Sequence, residues 1–243
     1  MLLVERGFFP TRAKAQAAIM AGKVAVEGCP NPKAGSNLAR ETRIDVLADA
    51  MPYVSRGGLK LAAAIERFTI PVAGRTALDV GASTGGFTDC LLQRGARKVY
   101  AVDVGHGQLD ARLRTDARVV CLERTHARAL SPELFRDAPP DLAVIDVAFI
   151  SLTKVLPFVL PCLIGARELV ALIKPQFELE PKKVPKGVVR KEEFRREAVE
   201  KVRAAARELP VTECGLMESP LRGPKGNVEF LWFARAQPPA GRG

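Results

Sequence analysis

The stretch LDVGASTGGFTDCLLQRGA, residues 78–96, combines a short apolar run, a glycine-rich turn and a helix-forming pattern. Glycines at 81, 85 and 86 allow the backbone to turn sharply and to approach a ligand closely. The helix predicted to begin near Gly86 points its N-terminus, with its free amide groups, at the same place. The stretch therefore predicts a strand, a turn and a helix, with a nucleotide-like cofactor bound at the turn.

Outward from this stretch, strand patterns alternate with helical patterns. The predicted strands are Ala77–Val80, Val99–Val102, Val119–Leu122, Leu142–Val147 and Leu169–Ile173. This alternation predicts an α/β fold in which a doubly wound, mostly parallel, Rossmann-like sheet carries helices on both faces. A charged helix over 191–209 precedes a last strand pair, near 211–216 and 227–234, which should close the sheet as an edge hairpin.

Polar residues follow the predicted strands at the point where each strand ends. Asp103 ends the second strand and Glu123 the third. Asp146 ends the fourth strand and Lys174 the fifth. The carboxyl ends of parallel strands share one edge of a sheet, where ligands bind and where a carboxylate can accept both hydroxyls of a ribose. Ser83 stands where the dinucleotide fingerprint requires its second glycine, which argues against NAD.

Residues 1–50 form a separate predicted unit. Thr11 can cap a helix whose apolar positions recur every three to four residues, Gly22 ends that helix, and KVAVEG over 23–28 predicts a short strand. We expect a small α+β domain over 1–50, a linker over 51–56, the sheet domain over 57–235 and a flexible tail over 236–243.

The composition argues against several classes of protein. The 243 residues are 47% hydrophobic, and no apolar run approaches the roughly 18 residues that a membrane helix needs. The five cysteines lie far apart without a C-x-x-C pair, which disfavours a structural metal site and a disulfide framework. The formal net charge of +10 favours a polyanionic partner, nucleic acid first. We expect a cytoplasmic monomer that binds neither metal nor membrane.

The glycine turn and the polar strand ends together resemble the doubly wound methyltransferases that use S-adenosylmethionine. The resemblance implies that Asp79 and the turn hold the methionine part of the cofactor, that Asp103 holds its ribose, and that Glu123 lies near its adenine. The implied cofactor-binding residues are Asp79, Gly81, Ala82, Ser83, Thr84, Gly85, Gly86, Phe87, Asp103 and Glu123.

The residues after the fourth strand bear on the methyl acceptor. Methyltransferases that act on exocyclic amines carry an Asx-Pro-Pro-aromatic run there, whereas this chain has DVAF at 146–149. Methylation of a cytosine carbon needs a cysteine nucleophile near the strand ends, and Cys162 lies too far along the chain, so we expect a core or surface thiol. Methylation of a ribose oxygen needs a group that orients a weakly acidic hydroxyl and stabilises or accepts its charge. A lysine held by carboxylates can do both.

Four charged residues match this demand. Lys60 lies on the first turn of a predicted helix and Glu229 on the last predicted strand, in addition to Asp146 and Lys174. In order and strand context the four resemble the lysine-aspartate-lysine-glutamate tetrad of the FtsJ-like ribose methyltransferases. The segments VSRGGLKL, AVDVGHGQL, IDVAFISL, LIKPQFE and SPLRGPKGNVEFL extend the resemblance to the TlyA family of rRNA 2'-O-methyltransferases. That resemblance implies methylation of cytidine ribose in 23S rRNA and, for some members, in 16S rRNA.

The N-terminal segment LLVERGFFPTRAKAQAAIMAGKVAVEG, residues 2–28, resembles the small alpha-L RNA-binding motif. The resemblance implies that cations of this segment contact phosphates. The loop EPKKVPKG, residues 180–187, follows Lys174 and is predicted to grip RNA phosphates as well. The predicted RNA-binding residues are Arg12, Lys14, Lys23, Arg56, Lys182, Lys183 and Lys186.

Two alternatives stay open at the level of sequence. Some relatives are named haemolysins, so a membrane-active toxin is one, although the sequence shows no spanning segment, no export signal and no strong amphipathic basic helix with large apolar residues. The other is a non-catalytic RNA-binding protein that retains the fold. The presence of all four tetrad residue types argues against that second alternative.

Overall fold

The structure is a computed structural model that describes residues 2–9, 11–20, 24–29, 32–36, 38–46 and 52–237, without the side chains of Lys14, Ala17, Val46 and Pro224. The chain divides into two compact units, residues 1–52 and 53–243. The division falls inside the expected linker, and residues 53–56 of that linker belong to the second unit. Residues 238–243 of the expected tail lie outside the described residues.

The first unit combines two short helices with a strand pair. Helices α1 and α2 span Leu2–Glu5 and Arg12–Met20, and strands β1 and β2 span Val24–Val26 and Ile44–Val46. The strands are antiparallel. A small apolar core is formed by Leu3, Ala15, Ala18, Val24, Val26 and Ile44. The helix predicted after Thr11 and the strand predicted in KVAVEG are confirmed, while the predicted helix end at Gly22 lies outside the described residues.

The second unit contains the remaining elements. Its helices are α3 (Gly57–Phe68), α4 (Gly86–Gln93), α5 (Ala111–Arg114), α6 (Leu156–Val159), α7 (Pro175–Glu178) and α8 (Glu192–Arg207). Its strands are β3 (Thr76–Val80), β4 (Lys98–Val102), β5 (Val119–Leu122), β6 (Leu142–Ile145), β7 (Glu168–Ile173), β8 (Val211–Glu218) and β9 (Phe230–Ala236).

The seven strands of this unit form one sheet in the order β5-β4-β3-β6-β7-β9-β8. All pairs from β5 to β7 are parallel, whereas β9 is antiparallel to both β7 and β8. The predicted α/β fold, a mostly parallel sheet closed by an antiparallel hairpin, is confirmed. Strand order reverses between β3 and β6, so the crevice beyond their carboxyl ends is where a sheet of this kind binds ligands.

Apolar side chains cover both faces of the sheet. Side chains of α3 and α4 form one layer, and side chains of α6 and α8 form the other. Strand β7, with the sequence ELVALI, is buried along its whole length, as expected for a parallel strand covered on both sides. The charged helix predicted over 191–209 is α8, which turns Ala198, Val199, Val202 and Ala206 inward.

Several strand ends differ from the prediction by a few residues, and two of these differences bear on the site. Strand β6 ends at Ile145, so Asp146 is the first residue after the strand. Strand β9 begins at Phe230, so Glu229, predicted on this strand, immediately precedes it. The register pairs Phe230 with the last residue of β7, and Pro175, which lacks an N–H, starts α7 just beyond. No residue of β7 is therefore left to pair with Glu229.

Candidate active site

A cavity of about 420 Å3 lies beyond the carboxyl ends of β3, β6 and β7. This volume falls in the range of small-molecule sites, roughly 300–1,000 Å3. The cavity is lined by the glycine turn, the ends of β6 and β7, the start of α3 and the segment before β9. The lining residues are Ser55, Arg56, Gly57, Lys60, Gly81, Ala82, Ser83, Thr84, Gly86, Phe87, Asp146, Ala148, Lys174, Leu221, Arg222 and Gly223.

The glycine turn between β3 and α4 has a structural reason for each of its glycines. Gly81 has φ +89°, and a Cβ there would lie 2.4 Å from the carbonyl oxygen of Asp146. Gly85, with φ +96°, immediately precedes α4. A Cβ at Gly86 would lie 2.2 Å from Ser55 Oγ. Left-handed backbone and close chain approach both exclude larger residues, and together they bring the amino end of α4 to the cavity.

Asp79 lies on β3 and is fully buried, outside the cavity lining. Its Oδ2 accepts a hydrogen bond from Thr88 Oγ1 at 2.6 Å. Its Oδ1 is buried without a hydrogen-bond partner among the residues that the structure describes. Burial raises the pKa of this carboxyl to about 7, the Thr88 hydrogen bond opposes the shift, and the nearby charges of Asp146 and Asp103 add to it. Asp79 can therefore change its protonation state near neutral pH.

Asp103 and Glu123, the two acids at the ends of β4 and β5, accept hydrogen bonds from backbone amides. Asp103 accepts from the amides of Ser83 at 2.8 Å and Gly105 at 2.7 Å, which joins the glycine turn to the loop after β4. Glu123 accepts from the amides of Gly107, Gln108 and Leu109, and Arg114 donates to it as well. The Arg114 hydrogen bond, followed by these amides, lowers the pKa of Glu123 to about 2. Both acids thus shape the loop beside the turn.

The four residues of the predicted tetrad form two ion pairs. Lys60 Nζ lies 2.6 Å from Glu229 Oε2, and both side chains are buried. Lys174 Nζ lies 2.6 Å from Asp146 Oδ1, and both side chains remain partly exposed. Lys60, Asp146 and Lys174 line the cavity, whereas Glu229 lies behind Lys60 and is fully buried. The second pair is therefore more accessible from the cavity than the first.

Each of these side chains lies at or near the end of a helix or strand. Lys60 is on the first turn of α3, and Asp146 directly follows β6. Lys174 lies between β7 and α7, with Pro175 as the first helical residue. A buried strand that ends in lysine is explained by this position, because the lysine stands at the open edge of the sheet beside a carboxylate.

Comparison with known proteins settles the family. The family model described as FtsJ-like methyltransferase matches residues 53–236. The chain belongs to the FtsJ-like methyltransferase family. It is 47% identical, over 97% of its length and 88% of the relative's, to 16S/23S rRNA (cytidine-2'-O)-methyltransferase TlyA of Mycobacterium tuberculosis. It is 43% identical to hemolysin A of Brachyspira hyodysenteriae, over 93% of this chain and 94% of that one.

A solved structure is similar to this FtsJ-like methyltransferase over nearly the whole chain. The structure comes from Streptococcus thermophilus, and its name includes the word hemolysin. It shares 39% identity with this chain and has a TM-score of 0.79, over 97% of this chain and 86% of that one. The family match over residues 53–236 and the 47% identity to a relative named as a methyltransferase confirm the prediction that the chain is a methyltransferase of this family.

The predicted RNA-binding residues of this FtsJ-like methyltransferase have different surroundings. Arg56 lines the cavity. Arg12 is exposed on α2 of the first unit, while the side chain of Lys14 and all of Lys23 lie outside the described residues. Of the three loop lysines, Lys182 and Lys183 each lie within ion-pair distance of a glutamate. Lys186 is exposed and has no carboxylate at that distance in the described part of the chain.

Several cavity residues of this FtsJ-like methyltransferase were not predicted as site residues. They are Ser55, Gly57, Ala148, Leu221, Arg222 and Gly223. Five of them lie in the segments VSRGGLKL and SPLRGPKG, so the resemblance marked their neighbourhood without marking the residues themselves. Gly223 is tightly packed, because a Cβ there would lie 2.0 Å from Glu229 Oε1. Cys162 is buried in the core, one of the two predicted placements.

Proposed function

We propose that the protein transfers a methyl group from S-adenosylmethionine to the ribose 2'-oxygen of a cytidine in ribosomal RNA. The observation that carries this proposal is the arrangement of Lys174 with Asp146 and of Lys60 with Glu229 at the end of one cavity. The substrate class is supported by the 47% identity to a relative named for cytidine 2'-O-methylation of 16S and 23S rRNA. Both 23S and 16S rRNA are therefore candidates.

The residues around the cavity fit S-adenosylmethionine. The glycine turn between β3 and α4 forms one wall of the cavity with small residues, and α4 begins at that wall. We infer that the segment from Gly81 to Phe87 holds the methionine part, supported from β3 by Asp79. Asp103 holds the ribose of the cofactor. Glu123 accepts hydrogen bonds from the amides of the loop after β4 and so positions this loop near the adenine. The bound cofactor supplies a methyl group attached to a positively charged sulfur.

Lys174 is the group best placed to act on the acceptor hydroxyl. Its amine lies at the cavity beside Asp146, and a charged amine can donate three hydrogen bonds. One hydrogen bond can serve Asp146 while another orients the ribose oxygen and stabilises the charge that develops on it. A neutral Lys174 could instead accept the hydroxyl proton itself. Lys60 adds a second positive charge to the cavity wall, and Glu229 holds Lys60 in place.

The test compares Lys174→Arg with Lys174→Ala. Arginine keeps the charge and cannot give up its proton, so it retains electrostatic guidance but not proton acceptance. We expect both variants to lose activity by about a hundredfold or more, the order of a general base's contribution. The measurement is the single-turnover methylation rate on rRNA, with binding of rRNA and cofactor checked separately. Lys191→Arg and Lys191→Ala, at an exposed lysine paired with Glu193, are the matched controls.

Residual activity has a different meaning in each of the two variants. Substantial activity in the arginine variant would leave Lys174 as an electrostatic guide only. Full activity in the alanine variant would contradict its assignment to catalysis. Mass-spectrometric mapping of ribose methylation in cells with and without the gene would identify the nucleotide and the subunit.

The proposed RNA substrate also assigns a task to the first unit. Its predicted phosphate-binding cations Arg12, Lys14 and Lys23 would anchor rRNA, while Arg56 and the loop over 180–187 would contact the strand near the cavity. The formal net charge of +10 supports a polyanionic partner. We propose that the enzyme acts in the cytoplasm, as a monomer on its RNA.

The name hemolysin among the relatives has its own test. Among the described helices, none combines the length and the apolar character needed to cross a bilayer. Leakage of liposomes caused by the pure protein would support a membrane activity. Titration calorimetry with S-adenosylmethionine separates the enzyme from a non-catalytic RNA-binding protein, because only the enzyme needs to bind the cofactor.

A further inference from the structure

Two Pro-Lys-Gly turns lie next to each other at the edge of the candidate active site. They cover residues 185–187 and 224–226. In both turns the lysine has a left-handed backbone, with φ 56° and ψ 22° at Lys186 and φ 57° and ψ 16° at Lys225. This conformation is uncommon for residues that carry a Cβ, and it persists only where the surrounding structure imposes it. Such strain is often associated with a function.

Asn227 and Lys225 hold the two turns together. Asn227 is buried, and its Nδ2 donates to the carbonyl oxygen of Gly187 at 2.9 Å. Its Oδ1 accepts from the amide of Val189 at 2.9 Å. Lys225 Nζ donates to the carbonyl oxygen of Lys186 at 3.2 Å. These contacts keep the ammonium group of Lys225 against the turn that carries Lys186.

Among the described residues, neither Lys186 nor Lys225 has an acidic partner. Both are exposed, and the described part of the chain places no carboxylate within ion-pair distance of either amine. Lys182 and Lys183, in the same loop as Lys186, each pair with a glutamate. Two uncompensated positive charges on adjoining turns repel each other, so both favour an anion bound at the turns.

The second turn is directly connected to the tetrad. The amide of Gly223 donates to the carbonyl oxygen of Asn227 at 2.8 Å and closes the segment that carries Lys225. Gly223 also packs against the Glu229 carboxylate and lines the cavity together with Leu221 and Arg222. An anion held by the two turns would thus be separated from the proposed ribose site by only a short segment.

We propose that Lys186 and Lys225 form a phosphate clamp for the RNA strand next to the methylated nucleotide. The inference rests on the proposed function, because the anion is identified as a phosphodiester of the RNA substrate. Phosphates carry single charges spaced along a strand, and lysine binds each as a point charge. The clamp fixes the strand so that the target ribose faces Lys174.

The test is a double variant, K186G/K225G. Glycine adopts the left-handed conformation without strain, and the buried Asn227 still joins the two turns when the Lys225 hydrogen bond is lost, so the turns keep their shape while both ammonium groups are removed. The matched control is K191A/R196A, which removes two exposed cationic side chains that each pair with a glutamate and that are not assigned to RNA binding. Binding of the full-length proteins to a 23S rRNA transcript is measured at several salt concentrations. Melting temperature and S-adenosylmethionine affinity are measured in parallel.

We expect K186G/K225G to bind the transcript at least tenfold more weakly, and the slope of log affinity against log salt to fall in magnitude by about 2. The melting temperature should not fall, and cofactor affinity should not change. The control should change the slope by less than half as much. Equal affinity and slope in wild type and K186G/K225G, with a wild type that methylates the transcript, would overturn the clamp alone. A wild type that neither binds nor methylates 23S or 16S rRNA would overturn the proposed function and the clamp together.

Discussion

Asp79 should contribute a pH dependence to the stability of the second unit, and Asp79→Asn should remove this contribution. The pKa of the buried carboxyl is about 7, against an ordinary value of 3.8. Between these pH values the folded protein retains a proton that the unfolded chain has released. The stabilising contribution is therefore complete below about pH 4 and is lost as the pH rises to about 7. A difference of about 3 pK units corresponds to roughly 4 kcal/mol of unfolding free energy.

The assay is urea unfolding at pH values from about 4 to about 8, where the window of this carboxyl lies. The single tryptophan, Trp232, is buried in β9, so its fluorescence reports on the second unit. Asp79→Asn should give a flatter pH dependence than wild type. Thr88→Val removes the hydrogen bond that lowers this pKa, so the pH range over which stability is lost should extend to higher pH. Asp116→Asn is the control. Because Arg118 lowers the pKa of Asp116, removing this carboxylate should change the pH dependence of stability in the direction opposite to Asp79→Asn.

The comparison between wild type and Asp79→Asn decides the outcome. An identical pH dependence of the unfolding free energy in both proteins would refute the assignment of the titration to Asp79. If wild type became more stable from about pH 4 to about pH 7 and the variant did not, the predicted direction of the Asp79 contribution would be refuted.

Three further predictions concern the cofactor, the division of the chain and the loops around the site. Asp103→Ala should weaken S-adenosylmethionine binding at least tenfold, because a charge-assisted hydrogen bond contributes about 1.5 to 3 kcal/mol. Unchanged affinity by calorimetry in a folded variant would reject the proposed cofactor position. A chain that starts at Tyr53 should still bind the cofactor and lose most of its rRNA affinity, and equal methylation by the truncated and full-length chains would contradict the anchoring role. The buried Glu178, the last residue of α7, accepts a hydrogen bond from Ser151 Oγ in the segment after β6. Glu178→Ala should therefore lower both the melting temperature and the single-turnover rate, whereas Glu178→Gln should recover most of both.

The sequence by itself determined the order of the elements and the edge of the sheet that carries the site. The stretch over 78–96 predicts a strand, a turn and a helix because apolar periodicity and glycine conformation are local properties. Polar residues after buried strands marked the same edge, since parallel strands end together. Asp146 and Lys174 were therefore expected to meet, and their side chains lie 2.6 Å apart. The order of residue types along the chain also revealed the resemblance to the FtsJ-like family.

Only the tertiary structure decided which charges pair and what each acid contacts. Lys60 and Glu229 are 169 positions apart, and their pairing depends on β9 lying beside β7 and on where β9 begins. Asp79 has a raised pKa because packing on both faces of the sheet buries it. An apolar strand pattern in the sequence does not give the degree of that burial. The two Pro-Lys-Gly turns are visible in the sequence, yet their contact requires the buried Asn227. Contacts between distant segments follow from strand order and side-chain packing, and local patterns do not contain either.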